Sequence, residues 1–171
     1  MSKIEVNNVC KLGIPWESIQ TAPVLSIPQL KSSEGVVFTA PRFKVDPYEN
    51  RRFAQSTYLD LAYAAEVEDA VYDSGLIEGF YLISLMDALK KCAYRDDPAY
   101  YGINYGSNKC RFVQPVYLKD QLGFECEILS IKDKNSGFLV ETECRLIVEG
   151  NTKPSVVYSM IYLLLPLPAA K

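Results

Sequence analysis

Four residues in the first half of the chain carry groups that chemistry on a carbonyl could use. Gly79 stands at the predicted start of a helix, where a backbone N–H has no intrahelical acceptor and a ligand carbonyl can approach closely. Ser84 places a hydroxyl further along the same helix. Glu78 and, earlier in the chain, Asp60 are carboxylates that could move a proton. Together these residues predict a site that stabilises an oxyanion while a carboxylate gives or takes a proton.

Each of the four residues also has a purely structural interpretation, which the sequence leaves open. Asp60 ahead of a short helix suits an N-cap, and Glu78 suits the positive end of a helix dipole. Gly79 could allow close packing of the helix on a sheet. Ser84 could donate a hydrogen bond to a carbonyl one turn earlier.

Asp87 and several aromatic residues are candidates for contacting a ligand. Asp87 is costly to bury unpaired, so it faces either a pocket or a structural partner such as Arg111 or a tyrosine. Twelve tyrosines are more than packing needs in a chain of 171 residues, and each has a polar tip on an aromatic body. The predicted substrate-binding residues are Tyr58, Tyr63, Phe80 and Asp87.

The chain has no histidine, and this limits the acid–base chemistry open to it. Without an imidazole, no side chain titrates near neutral pH unless its surroundings shift its pKa. Any proton transfer therefore depends on carboxylates, tyrosines, lysines or thiols. Asp60 would serve as a base if burial between Tyr58 and Tyr63 raised its pKa.

The five cysteines lie singly along the sequence. There is no Cys-x-x-Cys pair and no histidine to complete a zinc site, so the sequence predicts no metal and no cofactor. Cys126 and Cys144 fall on the apolar side of alternating strands, where a free thiol acts as a small hydrophobic side chain.

Charge and hydrophobicity argue against two classes of partner. The net charge is −3 and no cluster of basic residues lies among aromatic ones, which argues against nucleic acid. The longest apolar run, at 161–165, is too short to cross a bilayer, and the N-terminus has no continuous apolar segment typical of a signal peptide. We therefore expect a cytoplasmic protein with neither nucleic-acid nor membrane partners.

One apolar helix and a series of alternating strands are the elements that must position these residues. Residues 78–92 are apolar on nearly all sides and contain Lys90 and Lys91 in the last turn, which predicts a buried helix. Asp46 and Pro47 predict the N-cap and the first residue of an earlier helix. A short strand is predicted at 36–38 and, after a polar loop at 94–108, another at 109–117. Alternation predicts strands at 122–131 and 140–148, joined by a turn at 134–137, and a largely apolar run predicts a last strand at 155–165.

These elements predict a fold class and a domain organisation. Residues 1–34 should form an extended N-terminal arm, because Pro15, Pro23 and Pro28 disfavour long helices and central strands. Residues 35–171 should form a single domain. One buried helix followed by an antiparallel meander predicts an α+β fold, in which an antiparallel sheet wraps round a long central helix. This arrangement is the hot-dog fold.

Two stretches of the chain carry motifs with a family resemblance. Residues 74–86 read SGLIEGFYLISLM, and residues 111–122 read RFVQPVYLKDQL. The first resembles G-x-I-x-H-G-x-x-x-x-S-L and the second R-F-x-x-P-V-x-x-G-D-x-L, two motifs of the MaoC-like hydratases and dehydratases. Glu78 stands in place of the histidine of the first motif, and Lys119 in place of the glycine of the second. The resemblance covers about residues 36–165.

The resemblance implies an activity on an acyl thioester carried by coenzyme A or an acyl-carrier protein. In the family, a D-x-N-P-x-H element supplies an aspartate and a histidine that position a water and move its proton. Asp60 matches the aspartate, whereas Ala65 stands where the histidine would be, so this dyad cannot operate. The resemblance therefore implies a diverged dehydratase or hydratase, a double-bond isomerase or a cyclase, working as a homodimer. The alternative is a non-catalytic acyl-binding protein or an inactive partner subunit.

Overall fold

The structure of the protein, a computed structural model, describes residues 11–64 and 75–168. The elements in these ranges follow one another in a mixed order of short helices and longer strands. They are β1 (Lys11–Leu12), α1 (Ser18–Thr21), β2 (Val24–Leu25), α2 (Ile27–Ser32), β3 (Val37–Lys44), α3 (Pro47–Ser56), α4 (Leu59–Ala64), α5 (Gly79–Ser84), α6 (Met86–Ala93), β4 (Arg95–Asp96), β5 (Tyr100–Phe112), β6 (Leu122–Lys134), β7 (Gly137–Val148) and β8 (Val156–Pro166).

A six-stranded sheet in the order β1-β3-β6-β7-β8-β5 forms the main layer. All of its strand pairs are antiparallel except β1 with β3. The strands β6 and β7 are joined by a tight turn, in which Asn135 has a φ of 53°. At 122–128 and 140–146 every second side chain is buried, because successive residues of a strand point to opposite faces. The buried face packs against the central helix, as the α+β prediction requires.

The central helix consists of two segments, α5 and α6, separated by Leu85. Leu85 keeps a right-handed helical conformation, with φ −78° and ψ −18°, so the direction of the chain continues across it. Leu82, Met86 and Leu89 are buried at helical spacing on the side that faces the sheet. The predicted long helix is therefore present, with one interruption.

Residues 11–34 do not form the extended arm that the sequence predicted. The chain folds there into α1, α2 and two short strands. Ser26 and Gln29 form a capping box at the start of α2, and Pro28 lies in its first turn, where proline is tolerated. Leu30, on the same helix, is fully buried in the core. The division of the chain at residue 34 into an arm and a domain stays a prediction.

The strand β5 is longer than the sequence predicted, and it both begins and ends earlier than the predicted strand at 109–117. β5 begins at Tyr100 and ends at Phe112, so most of the predicted loop at 94–108 is strand. Its residues are almost all exposed because β5 pairs only with β8 and lies at the edge of the sheet. A strand with little buried surface can have a polar composition, and for this reason the first part of β5 was predicted to be a loop. β3 is also longer than predicted: it continues past Pro41 through a bulge between Ala40 and Phe43.

A polar network is buried where the central helix ends against the sheet. The Lys90 side chain is 2% exposed, and its ammonium forms an ion pair with Asp96. The same ammonium lies 4.9 Å from the ring centroid of Tyr94 and 4.1 Å from that of Tyr162. The Tyr162 hydroxyl donates to Asp96 at 3.1 Å and lies 3.0 Å from the Tyr94 hydroxyl. This lysine is thus part of the core.

The two buried tyrosines predict a loss of stability in alkaline solution. Burial raises the pKa of Tyr94 and of Tyr162 well above the ordinary value of 10.0. A group whose pKa is raised on folding favours the folded state below its unfolded pKa, and this contribution is lost as the pH rises through the folded value. The free energy of unfolding should therefore fall above about pH 10.

Urea unfolding at several pH values would measure this effect. Between about pH 9 and pH 11 the decline should be shallower in Tyr162→Phe than in the wild type, because the variant has one titrating group fewer. Tyr58→Phe is a matched control, since Tyr58 is 72% exposed. Equal slopes in the wild type and Tyr162→Phe would contradict the prediction.

Candidate functional site

The first turn of the central helix lies against two aromatic rings. Gly79 begins α5, and a Cβ atom added to it would lie 2.6 Å from Cε1 of Phe112. The Phe112 ring also packs edge-on to Phe80, with centroids 6.4 Å apart. Phe112 is 49% exposed and Phe80 is 69% exposed. The glycine thus admits an aromatic ring to the helix start, and this ring is half exposed.

Glu78 occupies the N-cap position of α5, but its side chain makes no capping hydrogen bond. Backbone N–H groups in the first turn of a helix have no acceptor within the helix. Those of α5 are therefore not satisfied by the Glu78 carboxylate. Glu78 is half-buried next to Gly79, so both a donor and a carboxylate are present at this point.

A cavity of about 400 Å³, here called the edge cavity, lies between the central helix and the β5–β8 edge of the sheet. It brings together two of the predicted site residues, Ser84 and Asp87. The Ser84 hydroxyl donates to the carbonyl of Tyr81 at 2.6 Å, the structural role that the sequence left open. The residues lining the edge cavity are Ile83, Ser84, Met86, Asp87, Asn104, Tyr105, Gly106, Tyr158 and Met160.

Asp87 has a different partner from the ones that the sequence suggested. Its carboxylate lies 3.2 Å from Nζ of Lys91, one turn later on α6, and both side chains are about half exposed. The predicted Arg111 instead donates to the backbone carbonyl of Cys110. Two tyrosines do share the edge cavity with Asp87, Tyr105 and Tyr158. Asp87 is thus a half-exposed cavity residue with a surface ion pair.

The structure places Asp60 and Tyr58 away from the edge cavity. Asp60 is exposed in the first turn of α4, where its carboxylate accepts from the N–H of Leu61 at 2.9 Å. Tyr58 precedes α4 with a positive φ of 61° and an exposed ring. Tyr63 belongs to α4, but its side chain and Ala65 lie outside the described residues. The roles proposed for these residues stay predictions.

A second, larger cavity of about 890 Å³, here called the N-terminal cavity, lies on another side of the central helix. Sequence reasoning missed it, because segments 12–16 and 46–56 meet only in the folded chain. Tyr81 lies inside it, and burial, together with the charges of Glu49 and Asp46, raises the pKa of this tyrosine. The lining residues are Leu12, Gly13, Ile14, Trp16, Asp46, Glu49, Arg52, Phe53, Gln55, Ser56, Tyr81 and Leu85.

Residues 11–64 and 75–168 contain no helix that is long and apolar enough to cross a membrane. Within the same ranges, no three Cys, Asp or Glu side chains lie close enough together to hold a metal ion. The four cysteines in the described part of the chain are free thiols.

Curated relatives of the chain are acyl-thioester dehydratases. The 3-hydroxyacyl-thioester dehydratase Z of Mycobacterium tuberculosis is 28% identical over 91 residues, which are 53% of this chain and 60% of the relative. The protein of the same name from Mycobacterium bovis has the same identity and coverage. The chain therefore spans about three fifths of the length of the curated relatives it matches. No family model matches the chain.

Solved structures of dehydratases and hydratases share the fold. The C-terminally truncated (3R)-hydroxyacyl-ACP dehydratase complex HadBC of M. tuberculosis superimposes with a TM-score of 0.59 at 17% identity, covering 77% of this chain and 96% of that one. The (R)-hydratase from A. caviae gives 0.56 at 19% identity, with 79% and 96% covered. The MaoC-like dehydratase of Rhodospirillum rubrum gives 0.56 at 15%, with 79% and 94% covered. The chain has the hot-dog fold, and its predicted resemblance to the MaoC-like proteins is confirmed.

Proposed function

We propose that the protein is a diverged acyl-thioester dehydratase or hydratase. One observation carries the proposal: Ser84, which matches the serine of the first family motif, lines the edge cavity together with Asp87 on the helix that Gly79 begins. The 28% identity to 3-hydroxyacyl-thioester dehydratases supports the same class of substrate. The acyl group would be carried on coenzyme A or an acyl-carrier protein. A double-bond isomerisation or a cyclisation of such a thioester would begin with the same step, removal of the α-proton.

In the proposed reaction, the thioester carbonyl accepts a hydrogen bond from the Gly79 N–H once the Phe112 ring has turned aside. This bond stabilises the enolate oxygen that forms when the α-proton leaves. The α-proton passes to a carboxylate, which then gives it to the hydroxyl on the next carbon. This hydroxyl leaves as water, and a double bond forms between the two carbons. Glu78 is adjacent to Gly79 in the chain, which makes it the first candidate for this carboxylate. Asp60 is the second candidate, on the resemblance alone.

Distance along the helix separates the roles of Ser84 and Asp87 from that of Glu78. A helix rises by about 1.5 Å per residue, so Ser84 lies about 7.5 Å and Asp87 about 12 Å along the axis from Gly79. Asp87 is thus too far away to take the α-proton of a carbonyl bound at Gly79. It would instead contact the acyl group further from the thioester, as a substrate-binding residue.

A screen of acyl thioesters would test the proposed function. Coenzyme A and acyl-carrier-protein thioesters of 3-hydroxyacyl and 2-enoyl groups would be incubated with the protein and followed by mass spectrometry. A gain or loss of one water is the expected result. If the protein bound these thioesters saturably but turned none of them over, the result would favour a second function, acyl binding without catalysis.

That second candidate is an acyl-binding protein without catalysis. Two observations favour it. Neither Asp60 nor Glu78 lines the edge cavity or the N-terminal cavity, and the larger of the two has a mainly apolar lining. A volume of about 890 Å³ lies within the range of ordinary ligand sites. Binding of acyl thioesters with no change in their mass would support this function.

Replacing Gly79 with valine is expected to abolish turnover. Its side chain would meet the Phe112 ring and block the approach of a carbonyl to the backbone. Loss of one oxyanion donor costs about 10²–10³-fold in kcat, and a loss at least that large should appear in a steady-state assay.

The double variant Gly79→Val/Phe112→Ala separates catalysis from folding. Removing the ring relieves the steric conflict, so the thermal stability should recover while the turnover does not. Undiminished turnover in Gly79→Val would place the oxyanion site elsewhere.

The protein is also expected to be a homodimer. β5 is a strand of 13 residues at the edge of the sheet, and nearly all of its residues are exposed. An edge strand of this length presents a row of unpaired backbone groups that a second copy can pair with. Sedimentation at micromolar concentration should give twice the chain mass of 19.2 kDa. A stable monomer under these conditions would rule out the dimer.

A further inference from the structure

Two cysteine thiols lie in contact at the centre of the sheet. Cys126 on β6 and Cys144 on β7 are directly opposed in the antiparallel register. Their sulfur atoms are 3.7 Å apart, and the Cys144 thiol donates towards Cys126. Both side chains are fully buried on the face that packs against the central helix. Neither takes part in the proposed reaction, and small apolar residues would fill the same space.

We propose that Cys126 and Cys144 are an oxidative modification site, at which hydrogen peroxide converts the two thiols into a reversible cross-strand disulfide.

The geometry is close to that of a disulfide before any oxidation. Directly opposed residues of an antiparallel pair have Cβ atoms about 4.5–5.5 Å apart, and a disulfide needs about 3.5–4.5 Å. The sulfur atoms have to approach from 3.7 Å to about 2.0 Å. Side-chain rotation and a small closure of the strands achieve this without a change of register.

The surroundings favour Cys126 as the thiol that reacts first. The hydrogen bond from Cys144 lowers the pKa of Cys126, and the nearby positive charge of Lys90 acts in the same direction against the effect of burial. The pKa of Cys144 is raised by the same hydrogen bond and by burial. The thiolate is the nucleophile in thiol oxidation, so the pair has an attacking sulfur and a resolving sulfur.

The reaction is balanced with hydrogen peroxide as the only oxidant. The Cys126 thiolate attacks one peroxide oxygen, the O–O bond breaks, and hydroxide leaves and takes up the thiol proton to give water. The Cys126 sulfenic acid that results is then attacked by the sulfur of Cys144, which forms the S–S bond and releases a second water. Two thiols have then lost two electrons and two protons, and one peroxide has been reduced to two waters.

The experiment uses the folded protein, with hydrogen peroxide as the probe. After treatment, excess peroxide is removed, the protein is unfolded and free thiols are alkylated for mass spectrometry. The expected product has lost the mass of two hydrogens, has two alkylation sites fewer, and yields a linked peptide pair containing Cys126 and Cys144. Dithiothreitol should restore both sites.

Two control variants make the result specific. Cys110→Ser removes a partly exposed thiol and should leave the link unchanged, whereas Cys144→Ala should abolish it. Cys92 is an internal reference, since it is buried and its thiol contacts the carbonyl of Pro15. Alkylation of Cys126 and Cys144 to the same extent as Cys92 after peroxide would overturn the proposal. Oxidation of Cys126 to a sulfinic acid, without any link, would overturn it as well.

Discussion

Replacing Glu78 with glutamine is expected to lower kcat/KM by about 10²–10⁴-fold, the usual contribution of a general acid or base. Glutamine keeps the size of the side chain and its hydrogen-bonding reach but cannot take up a proton. Because the side chain of Glu78 makes no capping hydrogen bond, its loss should leave the thermal stability nearly unchanged. Steady-state kinetics on a thioester found in the screen, together with a melting curve, would measure both quantities.

Two further variants serve as comparators for Glu78→Gln. Asp87→Asn should raise KM with little change in kcat, since Asp87 lies about 12 Å from Gly79 along the helix and, in the proposed reaction, would contact only the acyl group. Asp60→Asn should lose a similar 10²–10⁴-fold in rate only if Asp60, and not Glu78, is the carboxylate that moves the proton. A loss below about tenfold in both Glu78→Gln and Asp60→Asn would remove the catalytic carboxylate and favour the acyl-binding function.

Replacing Asp96 with asparagine is expected to lower the free energy of unfolding by about 3–5 kcal/mol, because it leaves a buried ammonium without its counter-charge. The Lys90 side chain is 2% exposed and that of Asp96 is 17% exposed, so water cannot easily replace the lost partner. The rings of Tyr94 and Tyr162 beside the ammonium offset only part of the cost. Denaturant unfolding of the wild type and the variant would give the difference.

The double variant Lys90→Met/Asp96→Asn distinguishes an ion-pair effect from a packing effect. Methionine fills much of the space of lysine and carries no charge, so most of the lost stability should return. The asparagine still offers an oxygen to the Tyr162 hydroxyl, which donates to Asp96 in the wild type. If the double variant were less stable than Asp96→Asn, the buried charge would not be the cause.

The sequence by itself determined the elements whose local signals are strong. Alternation placed β6 and β7, because a strand with one buried face changes polarity at successive residues, and a largely apolar run placed β8. Asp46 and Pro47 placed the start of α3, where Asp46 accepts from the N–H of Tyr48. The apolar run after Glu78 placed the central helix. These signals suffice for the hot-dog fold, since a meander around one apolar helix has few other ways to bury its core.

The sequence misjudged the elements whose character depends on distant neighbours. β5 has a polar composition because it lies at an exposed edge, and its partner β8 comes more than 40 residues later. The helix α2 is stabilised by burial of Leu30 in the core, and Pro28 in its first turn made a helix hard to predict there. Hydrophobic periodicity and intrinsic propensity depend only on the residues of a segment. The structures of β5 and α2 depend instead on the parts of the fold that they pack against.

Tertiary structure also decided which site residues lie together. The spacing along one helix placed Gly79, Ser84 and Asp87 in order, but only the folded chain shows that the last two line a cavity and that Asp87 pairs with Lys91. The sequence also did not show that Asp60 is exposed, or that the ring of Phe112 lies against Gly79. The sequence determines which groups can do chemistry, because that is a property of each side chain. Only the tertiary structure decides which groups line the same cavity, form an ion pair or bring two thiols into contact, because these contacts depend on how the elements pack together.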